Sequence, residues 1–263
     1  DAMGRIDLED LKAALTKETA LVSIMHVNNE VGTMNDLVKI GQIIKTNGGR
    51  TRFHSDCVQS FLKFPIDVAQ MNLDFLTASA HKAHGPKGIG MLYIRKGLTL
   101  KSLIEGGGQE GGLRAGTHNV PYIAGFGKAC DLILPNLAEN LAAVTTFKTE
   151  LYQWFLTNDK TGRLHLNGTL DEASPFVLNV SFRGIRAEIL LRLLEEKGVC
   201  VSTGSACSSK NMKDSHVLTA MNVAKESIKG SIRICFSDTN TIDDIEAAKE
   251  GFAYALAFAE RIK

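Results

Sequence analysis

Three strand-like runs in the first 80 residues, with amphipathic helical patterns before the first and between the first two, restrict the fold of this chain more than any other feature. Ala20–Val27 is apolar nearly throughout, as a strand buried on both faces is, and it stops at the polar turn Asn28-Asn29-Glu30-Val31-Gly32. Thr51–Ser55 ends at Asp56, and Asp74–Ala78 ends at Ser79-Ala80-His81-Lys82. Asp7 is placed to cap a helix with Leu8, Leu11, Ala14 and Leu15 on one face. Between the first two runs, Leu37, Ile40, Ile43 and Ile44 recur at helical spacing over Asp36–Thr46, and the pattern halts at Gly48-Gly49. Such alternation predicts an α/β fold, a mostly parallel sheet with flanking helices. Ligands of these sheets bind beyond the carboxyl ends of the strands. The spacing puts Asn29, Asp56 and Lys82 on that one edge.

The chain changes character further on. Gly106-Gly107-Gly108-Gln109-Glu110-Gly111-Gly112 is a glycine-rich loop with Arg114 and Thr117 at its exit, open to an anion contact as well as to a plain turn. Val120 to about Leu156 is helical with an interruption near Pro135. Strand patterns follow at Phe176–Phe182, Val199–Ser202 and Ser231–Phe236, and helical ones at Ala187–Glu196, Ser215–Met221 and from Thr241 onward. The expected organisation is a large domain over 1–118, a helical connector over 119–160 and a smaller α+β domain over 161–263. At 263 residues, the chain is long enough for a sizeable core. A net charge of +1 offers no electrostatic case for nucleic acid or membrane partners. No apolar run approaches the roughly 18 residues of a spanning helix, and a cytoplasmic location is expected, or an organelle matrix if a targeting segment is missing. Five cysteines lack any C-x-x-C spacing, which disfavours a disulfide framework and a metal site alike. Cys57, Cys130, Cys200 and Cys235 stand in apolar contexts and are expected in the core.

Lys82 follows a strand, stands among hydroxyl and imidazole groups, and is turned back by Gly85-Pro86-Lys87-Gly88. An amine there and a carboxylate at the end of another strand, Asp56, suit pyridoxal phosphate: the cofactor needs a Schiff-base amine and an acid that keeps its ring nitrogen protonated. The stretches Met25-His26-Val27-Asn28-Asn29-Glu30-Val31-Gly32, His54-Ser55-Asp56-Cys57-Val58-Gln59, Ser79-Ala80-His81-Lys82 and Gly106-Gly107-Gly108-Gln109-Glu110 resemble the cysteine desulfurases, class V members of the fold-type I pyridoxal phosphate enzymes. Thr203-Gly204-Ser205-Ala206-Cys207-Ser208-Ser209 is similar to their cysteine loop, and the polar stretch after it resembles the iron–sulfur cluster and nitrogen-fixation subgroup.

The resemblance implies a role for each matched residue. Lys82 holds the cofactor as a Schiff base and then shuttles the substrate's α-proton. Asp56 pairs with the ring nitrogen, and Gln59 with the phenolic oxygen. Ser79 and His81 contact the phosphate, His81 also standing among the catalytic groups. Thr117 reaches the phosphate of the neighbouring subunit in a homodimer. Asn29 and Arg233 clamp the substrate carboxylate, a task suited to a planar guanidinium fork. Cys207 attacks the sulfur of L-cysteine, leaving alanine and an enzyme persulfide for a sulfur-acceptor or scaffold protein. Plainer roles stay open for two of them: Asp56 as a helix cap and Arg233 in a structural ion pair.

The similarity begins inside the family pattern. A Gly/Thr phosphate turn and a ring-stacking histidine, expected from an amino-terminal portion, are not among these residues. Glu110-Gly111 stands where the family has Glu-Arg, and Ala115 where serine is common. Three alternatives therefore remain beside the desulfurase: a selenocysteine lyase, another class V lyase, or a truncated sulfur-relay or binding remnant without catalysis.

Overall fold

A computed structural model describes residues 1–47, 49–204 and 214–261. The chain divides into two compact units that interleave along the sequence, whereas the sequence reading cut it into consecutive segments. One unit holds Leu8–His26 and Asp36–Leu137; the other holds Asp1–Asp7, Val27–Asn35 and Ala138–Lys263.

The first unit contains α1 (Leu8–Ala14), β1 (Leu21–Ser23), α2 (Leu37–Asn47), β2 (Arg52–Asp56), β3 (Phe75–Ser79), β4 (Gly90–Ile94) and α3 (Val120–Ile133). Its sheet runs β1-β2-β3-β4, with β1, β2 and β3 parallel and β4 antiparallel to β3. Period-two alternation on β2 sends Phe53 and Ser55 into the core and leaves Arg52, His54 and Asp56 on the opposite face. The core face packs on α2 through Leu37, Ile40 and Ile44, with Leu8 and Leu11 of α1 at its margin. Gly41 is needed in α2 because a Cβ there would lie 2.1 Å from the Met71 carbonyl oxygen. On the other face, Leu21 and Leu92 keep 52% and 50% of their surface exposed, so among the described residues the helices α1 and α2 cover one face alone.

The second unit carries α4 (Leu137–Asn158, all but its first residue), β5 (Leu164–Leu166), β6 (Val177–Phe182), α5 (Ala187–Glu195), α6 (His216–Ala220), α7 (Lys225–Lys229), β7 (Ser231–Cys235) and α8 (Ile242–Arg261). Its antiparallel sheet is ordered β5-β6-β7. Every residue of β6 is buried. Phe155 of α4 meets Phe182 of β6 and Phe252 of α8 edge to face, with ring centroids 5.5 Å and 4.8 Å apart. Each such pair is worth about 0.5–1.5 kcal/mol beyond burial. Lys148 occupies the apolar stripe of α4 beside Val144, Leu151 and Phe155. Its Nζ donates to the Ser174 carbonyl at 3.0 Å, and burial pulls its pKa down to about 8.

Val199–Ser202 is no strand: Gly198, at φ 76°, ends α5, and the Val199 N–H turns back to the Leu194 carbonyl. Only Ser202 pairs with β7, exchanging both backbone hydrogen bonds with Arg233 at 2.7 and 3.0 Å. Of the four cysteines expected in the core, Cys57 is buried and Cys130 half-buried, while Cys200 and Cys235 are exposed. Cys200 lies on the segment that forms no strand, and Cys235 ends β7.

Candidate active site

In the first unit, the register sets Asp56 against Thr77 on the neighbouring parallel strand, and the Cys57 N–H donates to the Thr77 carbonyl at 2.9 Å. Two residues beyond Thr77, β3 ends at Ser79, and a single 3-10 turn, Ala80–Lys82, presents His81 and Lys82 to solvent. The turn is pinned at its base. The Ala83 and Gly85 N–H groups both donate to the Ala80 carbonyl at 2.9 Å, and Ala80 N–H donates to Ile89 at 3.1 Å. Positive φ at His84 (56°) and Gly88 (85°) brings the chain back, and a Cβ at Gly85 would sit 2.9 Å from that of Ala80. Asp56 and Lys82 thus leave the carboxyl ends of two hydrogen-bonded strands.

Asp56 does cap a turn, but with one oxygen only: Oδ1 accepts from the Val58 N–H at 2.9 Å. Its carboxylate is otherwise exposed. Gln59 is half-buried in the turn that follows, and Ser79 is half-buried at the end of β3. Among the described residues no carboxylate pairs with Lys82. An exposed acid, an unpaired amine, and serine, imidazole and amide donors beside them fit the needs of pyridoxal phosphate: a partner for the ring nitrogen, a Schiff-base amine and donors for oxygen atoms. Thr117 is exposed in the glycine-rich loop, where the Gly116 N–H donates to Gln109 Oε1 at 3.2 Å and the Arg114 guanidinium to the Ala115 carbonyl at 2.8 Å. No hydrogen bond among the described residues ties Thr117 to Asp56 or Lys82.

His54 occupies the same face as Asp56. His54 Nδ1 lies 2.7 Å from Ser23 Oγ and Nε2 3.1 Å from Thr77 Oγ1, a bridge across three strands. Burial lowers its pKa, with Asp56 pulling the other way. No motif spacing signals it, since its partners are 31 and 23 residues distant.

Near the carboxyl end of the same strand group, His26 is buried with no hydrogen bond to Nδ1 among the described residues, and desolvation brings its pKa down to about 4. The unfolded chain, with a histidine pKa of 6.5, takes up a proton that the folded chain refuses between pH 6.5 and about 4. Stability is therefore full above pH 6.5 and falls as the pH drops through that window, by up to about 3 kcal/mol. Urea denaturation at pH 7.5 and pH 4.5 checks this: His26→Gln should lose much of the pH slope.

Asn29 and Arg233 lie in the second unit. The polar turn 28–32 is closed by hydrogen bonds from Gly32 N–H to the Asn28 carbonyl (3.0 Å) and from Asn28 N–H to the Thr33 carbonyl (2.9 Å). Asn28 Oδ1 accepts from the Glu30 and Val31 N–H groups at 2.8 and 3.1 Å. Arg233 Nη1 donates to the Asn29 carbonyl at 3.1 Å. The contact joins two residues 204 apart in sequence, and it is the backbone of Asn29 that makes it. Among the described residues Arg233 has no carboxylate partner, and its Nε is buried without a hydrogen bond. The structural ion pair is thus not what holds it. Asn29 stands beyond the short β1, which ends at Ser23, on a turn of the second unit rather than at a strand end of the first. Cys207 lies outside the described residues.

A mostly parallel sheet with an acid and a lysine at or just past neighbouring strand ends is the arrangement of the fold-type I class of pyridoxal phosphate enzymes. The aminotransferase class-V family profile matches residues 1–248, and the chain belongs to that family, whose enzymes use this cofactor. Its relatives narrow the resemblance. Over 250 residues it is 42% identical to the cysteine desulfurase IscS of Methanosarcina thermophila, a match covering 95% of this chain and 61% of the relative. Against the solved structure of a NifS-like protein the TM-score is 0.89 at 37% identity, with 98% of this chain and 67% of the other covered. A structure described as SspA in complex with cysteine aligns with a TM-score of 0.75 at 34% identity, over 92% of this chain and 65% of that one. The chain thus spans about three fifths of the length of the curated relative.

Proposed function

We propose that this chain carries the lysine, cofactor-pairing acid and nucleophilic thiol of a cysteine desulfurase, which converts L-cysteine to L-alanine and leaves a persulfide on Cys207. The observation that carries the reading is the pairing of Asp56 with Thr77, which sets an exposed acid beside the strand that delivers the unpaired Lys82 amine. The names of the relatives narrow a pyridoxal phosphate enzyme to a desulfurase.

Pyridoxal phosphate, when bound, supplies an electron sink for the pairs released at the substrate's α and β carbons. Asp56 holds the ring nitrogen, Gln59 the phenolic oxygen, and Ser79 and His81 the phosphate. Lys82 Nζ anchors the cofactor and moves the proton at the substrate α-carbon. Arg233 and Asn29 fix the substrate carboxylate. The Cys207 thiolate forms an S–S bond with the substrate sulfur as the C–S bond breaks; the electron pair goes to carbon, which takes up the proton lost by the thiol. One thiol and one cysteine become one persulfide and one alanine.

Thr117 then serves the phosphate of a second copy in a homodimer, and the persulfide is delivered to a sulfur-acceptor or scaffold protein for iron–sulfur cluster or thio-cofactor assembly. In this reading 1–118 supplies the cofactor side, 119–160 the connector and 161–263 the cysteine loop, and the cytoplasm is the proposed location. No helix among the described residues is long and apolar enough to cross a membrane. The test is direct: the purified chain with pyridoxal phosphate, L-cysteine and a thiol should release alanine and sulfide in equal amounts. Release of pyruvate in place of alanine would overturn the reading.

A further inference from the structure

The turn that bears Asn29 is gripped by two residues that face one another across β6 and β7. Asn179 and Arg233 are register partners, as are Ser181 and Ser231, so all four share one face of the sheet. Arg233 Nη1 donates to the Asn29 carbonyl, and Asn179 Nδ2 donates to the next carbonyl, Glu30, at 3.0 Å. Adjacent peptide groups of one turn are thereby held by cross-strand neighbours. Both side chains therefore restrain the same turn.

The orientation of the Asn179 amide is set from behind. Its Oδ1 accepts from Asn167 Nδ2 at 2.7 Å and from Ser231 Oγ at 2.8 Å, and Asn167 Nδ2 also reaches Ser181 Oγ at 2.7 Å. With the oxygen side occupied by two donors, a flipped amide would set N–H against N–H, so Nδ2 is committed to the Glu30 carbonyl. Asn179 is 1% exposed, and at such a site a lost partner costs more than the bond itself contributes. The Glu30 side chain, also 1% exposed, takes a hydrogen bond from Ser215 Oγ at 2.5 Å and restrains the same turn from another direction.

The consequence falls on the guanidinium. Nη1 gives one N–H to Asn29, and among the described residues Nε is buried without a hydrogen bond, so the edge formed by Nε and Nη2 is the one without a protein partner. We propose that Asn179 is a positioning residue for the carboxylate clamp: by holding the Asn29–Glu30 turn it sets the direction in which the Arg233 fork faces the substrate carboxylate. This rests on the desulfurase reading for the identity of the carboxylate, but not for the geometry of the fork.

The test uses the whole chain. In the wild type the Arg233 Nε–Hε NMR signal, assigned through Arg233→Lys, should be sharp and slow to exchange with water. In Asn179→Ala it should move and exchange faster, and KM for L-cysteine should rise, by up to about tenfold for one lost hydrogen bond, with kcat little changed. Asn179→Ser removes the donor to Glu30 but keeps a hydroxyl for Ser231, and it serves with the same expectation should the alanine variant fail to fold. An unchanged Arg233 signal in a folded variant overturns the proposal, as does a loss confined to kcat. If the wild-type chain releases no alanine the desulfurase reading falls, while the Arg233 signal still decides the role of Asn179.

Discussion

Lys82→Ala yields a folded chain that develops no visible absorbance band with pyridoxal phosphate and releases no measurable alanine. Both losses trace to one atom. In the proposed reaction Nζ is the Schiff-base amine and also moves the α-proton, a role that alone contributes roughly 10²–10⁴ in rate. The fold should survive, because the Lys82 side chain is exposed and the turn is held by backbone bonds to Ala80 rather than by the lysine. Borohydride reduction followed by peptide mass spectrometry locates the cofactor on Lys82 in the wild type and separates cofactor loss from unfolding. Label on another lysine, or an unchanged band in the variant, sinks the assignment.

Cys207→Ala gives the second large effect, of a different kind. The variant should bind pyridoxal phosphate with an unaltered absorbance band, since none of the residues assigned to the cofactor is touched. Alanine release should fall by about 10² or more, in line with removal of a nucleophile in other covalent mechanisms. No persulfide should be trapped by alkylation on the peptide that carries residue 207. Alanine release at the wild-type rate would show that another thiol, or solvent thiol alone, accepts the sulfur. Together the variants separate an amine needed for cofactor and chemistry from a thiol needed for chemistry only.

Much of the first unit was legible because its signals are local. A strand-like run closing on Asp56 or Ser79 marks a strand end wherever the strand goes, and β2 and β3 lie close to where the pattern put them. The tight return at Ser79–Gly88 followed from glycine and proline, and the Ala80–Gly85 and Ala80–Ile89 hydrogen bonds carry it out. The misreadings have physical causes as well. Val199–Ser202 has strand-like composition, but the glycine ending α5 diverts its backbone bonds to the helix end. β5 escaped notice because three residues, Leu164-His165-Leu166, make no periodic pattern.

The sequence by itself determined the class of sheet and set Asp56 and Lys82 at or just past strand ends, since each depends on neighbours a few residues away and on strand ends that local composition marks. Only the tertiary structure decided what surrounds them. Ser23, His54 and Thr77 meet across three strands, and Asn179 and Arg233 grip adjacent carbonyls from paired strands, because strand register brings together residues that no sequence spacing relates. Register is set by which faces bury against the core, a property of the assembled sheet rather than of any segment of the chain.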